Sequence, residues 1–306
     1  MKKGKFKYSI FKKMSKINEI SIITPKTMIY ISRIFKRRFQ EKNIKCNIVS
    51  SRNFTLSYYN TKLMQTPGHY YFIYCLFLLE DVENLPNGRY IIYQLEQHTE
   101  NRISRHYRRI HSQLQNIYQK SFLFFDYNNQ NIMVFRQKLG IVPKLLKIPF
   151  TLENNVIETY QSTIKQYDIV FIGLLNRRRR KILNYLKKHF SIGIPSTGIY
   201  EKELVDFVCK GKILLNIHFY DNAILERPRL NEMIPIGIPI VSEKPNPRDL
   251  TIMQLYKNNV HFIEIIQENN IRNTLVDEIN GYFKDPDIES MKFIENDFLQ
   301  SFNSYF

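Results

Sequence analysis

Apolar residues in this chain fall into two alternating kinds of segment: short continuous runs, and stretches where they recur every three or four positions. Ile20–Ile23 and Cys46–Val49 are short β-rich runs. Between them Thr24-Pro25 offers an N-cap and a first-turn proline, and Met28, Ile31, Phe35 and Phe39 then share a helix face. Tyr70–Leu79 and Tyr90–Leu95 are largely apolar throughout, the pattern of parallel strands covered on both faces. Ile103, Tyr107, Ile110, Leu114 and Ile117 mark an amphipathic helix, and Phe122–Phe125 another strand. From Pro149 to about Gln166 the chain is polar and aperiodic. A second series follows: strand Tyr167–Gly173, helices Arg178–Phe190 and Glu201–Val208, strand Ile213–Ile217, helix Glu226–Ile236 and strand Ile238–Val241. Ile288, Met291, Phe298 and Phe302 have helical spacing near residue 306. Strands alternating with helices predict doubly wound α/β domains. The expected division is a tail over 1–17, a first domain over 18–150, a linker over 151–166 and a second domain over 167–306.

Composition narrows the class. A chain of 306 residues, 43% hydrophobic and 24% charged, can bury one large core or two ordinary ones. No apolar run approaches the roughly 18 residues that span a bilayer. The basic start Met1-Lys-Lys-Gly-Lys is not followed by the apolar segment of a secretory signal. Cys46, Cys75 and Cys209 are scattered and unpaired by pattern, so a reducing, cytoplasmic compartment is expected.

Charge changes the picture only at one end. The net charge is +17, but residues 1–50 hold 14 Lys and Arg against Glu19 and Glu41 alone. The remaining residues are nearly balanced. A nucleic-acid channel is basic across its binding face, so nucleic acid is not the expected partner. Residues 1–16 carry seven lysines among Phe6, Tyr8, Ile10, Phe11 and Met14, a composition suited either to a solvated, disordered tail or to peripheral contact with an anionic membrane. A non-enzymatic protein binding nucleic acid or an acidic membrane through this end is the competing reading.

Several motifs are absent: there is neither a Walker phosphate loop nor G-x-G-x-x-G. His106 and His111 have no zinc spacing. Asp285-Pro-Asp287 precedes the last helix, where capping explains it better than metal binding. No metal and no cofactor are therefore expected. The densest chemistry lies in Asn216–Glu243, which reads as buried strand, loop, helix, a glycine stop at Gly237 and another buried strand. Ligands of open α/β sheets gather at the carboxyl ends of strands. Asn216, His218, Glu226 and Arg229 occupy that region, and Arg229 and Glu232, three apart, share a helix face. A guanidinium fork suits a diphosphate, and a carboxylate suits the vicinal hydroxyls of a ribose. Asn176-Arg177-Arg178-Arg179-Arg180, just past strand-end Gly173, puts bases at a helix start, where the dipole disfavours them. That placement points to a bound anion, with Arg177 the leading candidate. Glu96 and His98 sit just past a first-domain strand and are the candidates for a catalytic base.

Pro228-Arg-Leu-Asn-Glu-Met-Ile-Pro-Ile-Gly-Ile-Pro-Ile-Val241 is similar to the R-x-x-E-x-x-x-x-G-x-P-x-V segment of group 1 glycosyltransferases. Lys212–His218 and Tyr167–Gly173 resemble strands of that family's donor-binding domain. The likeness extends over about 167–265 and more weakly over 69–135, where Tyr90–Gln97 looks like an acceptor-domain strand. Asp168, in the first of these strands, has no assigned role. Many relatives carry a further Glu eight residues before the ribose Glu; that position here is Ile224, with Glu226 the nearest substitute. The resemblance implies a GT-B fold, two Rossmann-like domains facing across a cleft. It also implies metal-independent transfer of a sugar from a nucleotide-diphosphate donor to an unidentified glycan, protein or lipid acceptor. Glu232 would hold the ribose. Arg177 and Arg229 would neutralise the diphosphate, with Gly173, Asn176, Asn216, His218 and Glu226 around the donor.

Overall fold

The β-rich runs pair into two sheets that are parallel throughout. In the computed structural model the described residues are 17–50, 67–74, 76, 85, 87–98, 105–152, 156–265, 277, 279 and 287–306. The lysine-rich segment 1–16, Cys75, most of 76–79, Ile103 and Asp285 lie outside them. Two compact units result: Met1–Pro149 with Asp297–Phe306, and Phe150–Asn296. The second unit differs at both ends from the domain expected over 167–306. It begins earlier, and the last ten residues of that range group with the first unit.

The first unit's sheet has the order β2-β1-β3-β4-β5-β6, from strands Glu19–Thr24 (β1), Lys45–Ser50 (β2), His69–Tyr74 (β3), Tyr90–Gln94 (β4), Leu123–Asp126 (β5) and Lys144–Leu145 (β6). β4 and β5 are buried along their whole length, as strands covered on both faces must be. Helix α1, Ile29–Glu41, turns Ile31, Ile34, Phe35 and Phe39 into the core. It starts later than Thr24-Pro25 suggests, because a 3-10 turn at Lys26–Met28 intervenes and no side chain caps it. The amphipathic stretch around Tyr107 is 3-10 over Arg105–Gln113 and α-helical only over Leu114–Lys120 (α2). A helix the apolar pattern did not predict, α3 (Asn129–Leu139), starts where Asn128 Oδ1 accepts from Gln130 N at 2.7 Å. It stops at Gly140, whose φ of 67° a side chain rarely tolerates.

The second unit repeats this winding. Its order is β11-β10-β9-β7-β8, from Tyr167–Val170 (β7), Ile192–Gly193 (β8), Gly211–Asn216 (β9), Ile240–Glu243 (β10) and Val260–Ile263 (β11). The expected linker contains a helix, Val156–Ser162 (α4). Around the sheet run Arg177–Leu186 (α5), Glu201–Val208 (α6) and Arg227–Met233 (α7), the last followed by a 3-10 turn and a left-handed stop at Gly237. β7 first pairs with β8 on one side, then with β9 on the other, so the winding reverses between β7 and β9. Crevices at such reversals are where open α/β sheets bind ligands.

Ile288–Asn303 forms the last helix, α8. Met291 and Ile294 join the second unit's core, while Phe298, Phe302 and Phe306 join an aromatic cluster with Phe35, Phe39 and Phe72 of the first. Asp287 caps this helix: its Oδ1 accepts from Glu289 N at 3.0 Å and its Oδ2 from Ser290 Oγ at 2.8 Å. Among the described residues no helix is long and apolar enough to cross a membrane.

Candidate functional site

β7 leads through Phe171 and Ile172 to Gly173, which stands at φ 127°, backbone that non-glycine residues rarely adopt. A Cβ placed there would lie 2.8 Å from Arg229 Nη2 and 3.2 Å from Arg179 Nη1. Two guanidiniums thus crowd one glycine at the carboxyl end of β7, beside the end of β9.

Each guanidinium is held differently. Arg179 is 2% exposed and structural. Its Nε and Nη2 donate to Ile217 O at 2.9 and 2.6 Å, Nη1 to Leu174 O at 3.0 Å, and Nη2 also to Glu226 Oε1 at 3.0 Å. Burial lowers its pKa to about 10, against the opposing charge of Glu226. Among the described residues Arg229 is engaged only through Nη1, to Asn216 Oδ1 and Glu226 Oε2, both at 2.7 Å. No hydrogen bond among the described residues occupies its Nε or Nη2, the nitrogen nearest Gly173.

Carboxylates divide in the same way. Burial pushes the Glu226 carboxyl up, but Arg229 and Arg179 outweigh it and hold the group ionised, below its ordinary range. Its oxygens are taken by those two arginines and by Phe219 N at 3.3 Å, so Glu226 acts here as an internal counter-ion. Glu232, one turn past Arg229 on α7, has no hydrogen bond or ion pair among the described residues. Burial pushes its pKa up to about 8, against the pull of Arg229.

The remaining donor-side candidates are mostly scaffold. Asn176 caps α5, with Oδ1 accepting from Arg179 N at 2.8 Å and Nδ2 donating to Phe219 O at 2.6 Å, so neither end is open. Asn216 donates Nδ2 to Ser242 Oγ at 2.9 Å while receiving Arg229. His218 is 1% exposed, is kept neutral chiefly by burial, and has no partner for Nε2 among the described residues. Arg177, the leading cation from sequence, is the exposed first residue of α5 and is not among the groups around Gly173. Arg179 takes that place. Arg178, also passed over, pairs with Glu243 and with Asp221 Oδ1 (2.5 Å) and donates to His218 O at 3.1 Å, pinning the loop after β9 to β10. Asp168 lies at the other end of β7, bonded to Ser191 and Lys212.

In the first unit, His98 is 6% exposed, packed edge-on to Tyr107 and Phe135, and its pKa is lowered by burial to about 3. A ring so hard to protonate is a poor proton acceptor, which counts against the expected role as base. Glu96 remains partly exposed on the loop after β4. Sequence reasoning missed what fixes that loop. Fully buried Asp126 accepts from Gln94 Nε2 at 2.8 Å, Asn128 N at 2.8 Å and Asn131 Nδ2 at 3.2 Å. Gln94 and Asn131 in turn donate to Glu96 O at 2.7 and 3.0 Å. Burial raises the Asp126 pKa to about 8 although its shell of N–H donors pulls it down. Among the described residues no group of three or more His, Cys, Asp or Glu is placed to hold a metal ion.

No family model matches the chain. It is similar to three uncharacterized proteins of Acanthamoeba polyphaga mimivirus. One is 30% identical over 147 residues, covering 45% of this chain and 46% of that protein. Another is 35% identical over 124 residues, 39% of this chain and 16% of that protein. The third is 30% identical over 112 residues, 35% of this chain and 13% of that protein. The chain thus spans less than half the length of each of these relatives.

Proposed function

We propose that this chain is a GT-B glycosyltransferase that takes a sugar from a nucleotide-diphosphate donor without a metal. The observation that carries the reading is that, among the described residues, no hydrogen bond occupies the Arg229 Nη2 edge beside Gly173 or the Glu232 carboxyl one turn along α7. The first suits the leaving diphosphate and the second a vicinal diol, the two chemistries a nucleotide-sugar presents together. Gly173 supports it by letting the Arg229 guanidinium come as close as a side chain there would forbid.

A thermal-shift screen of UDP-, GDP- and dTDP-sugars tests the donor. A ligand at about 100 times its dissociation constant stabilises by roughly 2.7 kcal/mol. For the best donor, Arg229→Ala and Glu232→Gln should each weaken nucleotide-diphosphate binding by about 1.5–3 kcal/mol, read by calorimetry. Unchanged affinity in both folded variants removes the assignment.

A further inference from the structure

Arg229 is steered through a single nitrogen. Two acceptors, Asn216 Oδ1 and Glu226 Oε2, converge on Nη1 at 2.7 Å each. Neither is free to wander. Asn216 is buried at the end of β9 and tied to Ser242 Oγ on β10 at 2.9 Å. Glu226 is tied to Arg179 Nη2 at 3.0 Å and Phe219 N at 3.3 Å, and Arg179 is itself locked to Ile217 O and Leu174 O. One carboxylate therefore spans two guanidiniums that both approach Gly173 and would otherwise repel.

We propose that Glu226, with Asn216, is a positioning residue that aims the Nη2 edge of Arg229 over Gly173 at the phosphate of a ligand. This rests on the reading of the site as a diphosphate seat. Glu226 touches no ligand; it acts through Arg229. Its alternatives differ in sign. A carboxylate that was merely nearby would repel an incoming anion, so neutralising it would tighten anion binding. A carboxylate that positions the guanidinium does the reverse, because its loss frees Arg229 to leave the one geometry that binds.

Calorimetry of inorganic pyrophosphate with wild type, Glu226→Gln, Asn216→Ala, Arg229→Ala and Asn216→Ala/Arg229→Ala separates these outcomes. Wild type should bind, and Glu226→Gln and Asn216→Ala should each lose about tenfold or more in affinity. The double variant should bind no more weakly than Arg229→Ala, because residues acting through one group are not additive. Equal or tighter pyrophosphate binding by folded Glu226→Gln overturns the proposal. Should Glu226→Gln not fold, Asn216→Ala decides, and wild-type affinity in it also overturns the proposal. Wild type failing to bind pyrophosphate at all overturns the diphosphate reading itself, a result distinct from the others.

Discussion

Arg177 and Arg179 differ by two positions and by everything that matters to a site. The run of four arginines was visible in the sequence, and so was the information to choose among them. Arg179, Ile182, Leu183 and Leu186 fall on one helix face, and all four are buried. Extending that apolar stripe one turn back leads to Arg179; counting from Gly173 led to Arg177. The Glu226 pairing was not legible, because it depends on Arg179 and Arg229 meeting from elements about fifty positions apart. Two predictions belong at this scale. Gly173→Ala forces a side chain into strained backbone and against Arg229, so nucleotide-diphosphate binding should fall at least about tenfold while the fold persists. Calorimetry beside a circular-dichroism melt checks both halves. The second concerns Asp126. Its folded pKa near 8 exceeds the ordinary carboxylate value, so folding takes up a proton and this stability is lost as pH rises toward 8. Urea melts at pH 5, 7 and 9 should show wild type weakening by up to about 1.4 kcal/mol per pH unit more than Asp126→Asn. Parallel profiles would remove Asp126 as the source.

Elements whose side chains carry their own pattern were read correctly. Helix Glu201–Val208 has the predicted bounds, and β1, β2, β4, β5 and β9 lie within a residue or two of theirs. Elements defined by polar chemistry were missed. α3 buries Asn131 alongside Val134 and Phe135, so its inward face reads as polar until the Asp126 network supplies the partners. α4 falls in a segment whose composition resembles a linker, and β6 and β8 are two residues each, too short to show a period. The site itself lies on elements of the first kind, with the strand ends of β7 and β9 and helix α7 all legible. The direction in which β8 and β9 flank β7 was not. It follows from long-range pairing, and it is that pairing that reverses the winding between β7 and β9.

For the whole molecule, two expectations follow. Activity with a nucleotide-sugar should survive EDTA, since the residues around Gly173 supply cationic charge from arginine side chains. Loss with chelator and recovery with manganese would refute the metal-independent reading. Stability should depend sharply on α8. Phe302 is 1% exposed and touches the rings of Phe35, Phe39, Phe298 and Phe306. Phe302→Ala should cost about 3–5 kcal/mol in urea unfolding of the first unit. A cost near zero would mean that the aromatic cluster closes without it.

The return of residues 297–306 to the first unit also orders events in time. Helix α1 with Phe35 and Phe39, and β3 with Phe72, leave the ribosome early, but the rings that cover them follow about 230–270 residues later. At roughly 5–20 residues per second that is a wait of about 10–50 s, in which an aromatic face of the nascent chain stays uncovered while the second unit is being made. The unit begun first is therefore the one completed last, and a chaperone that holds exposed aromatic surface has its interval there.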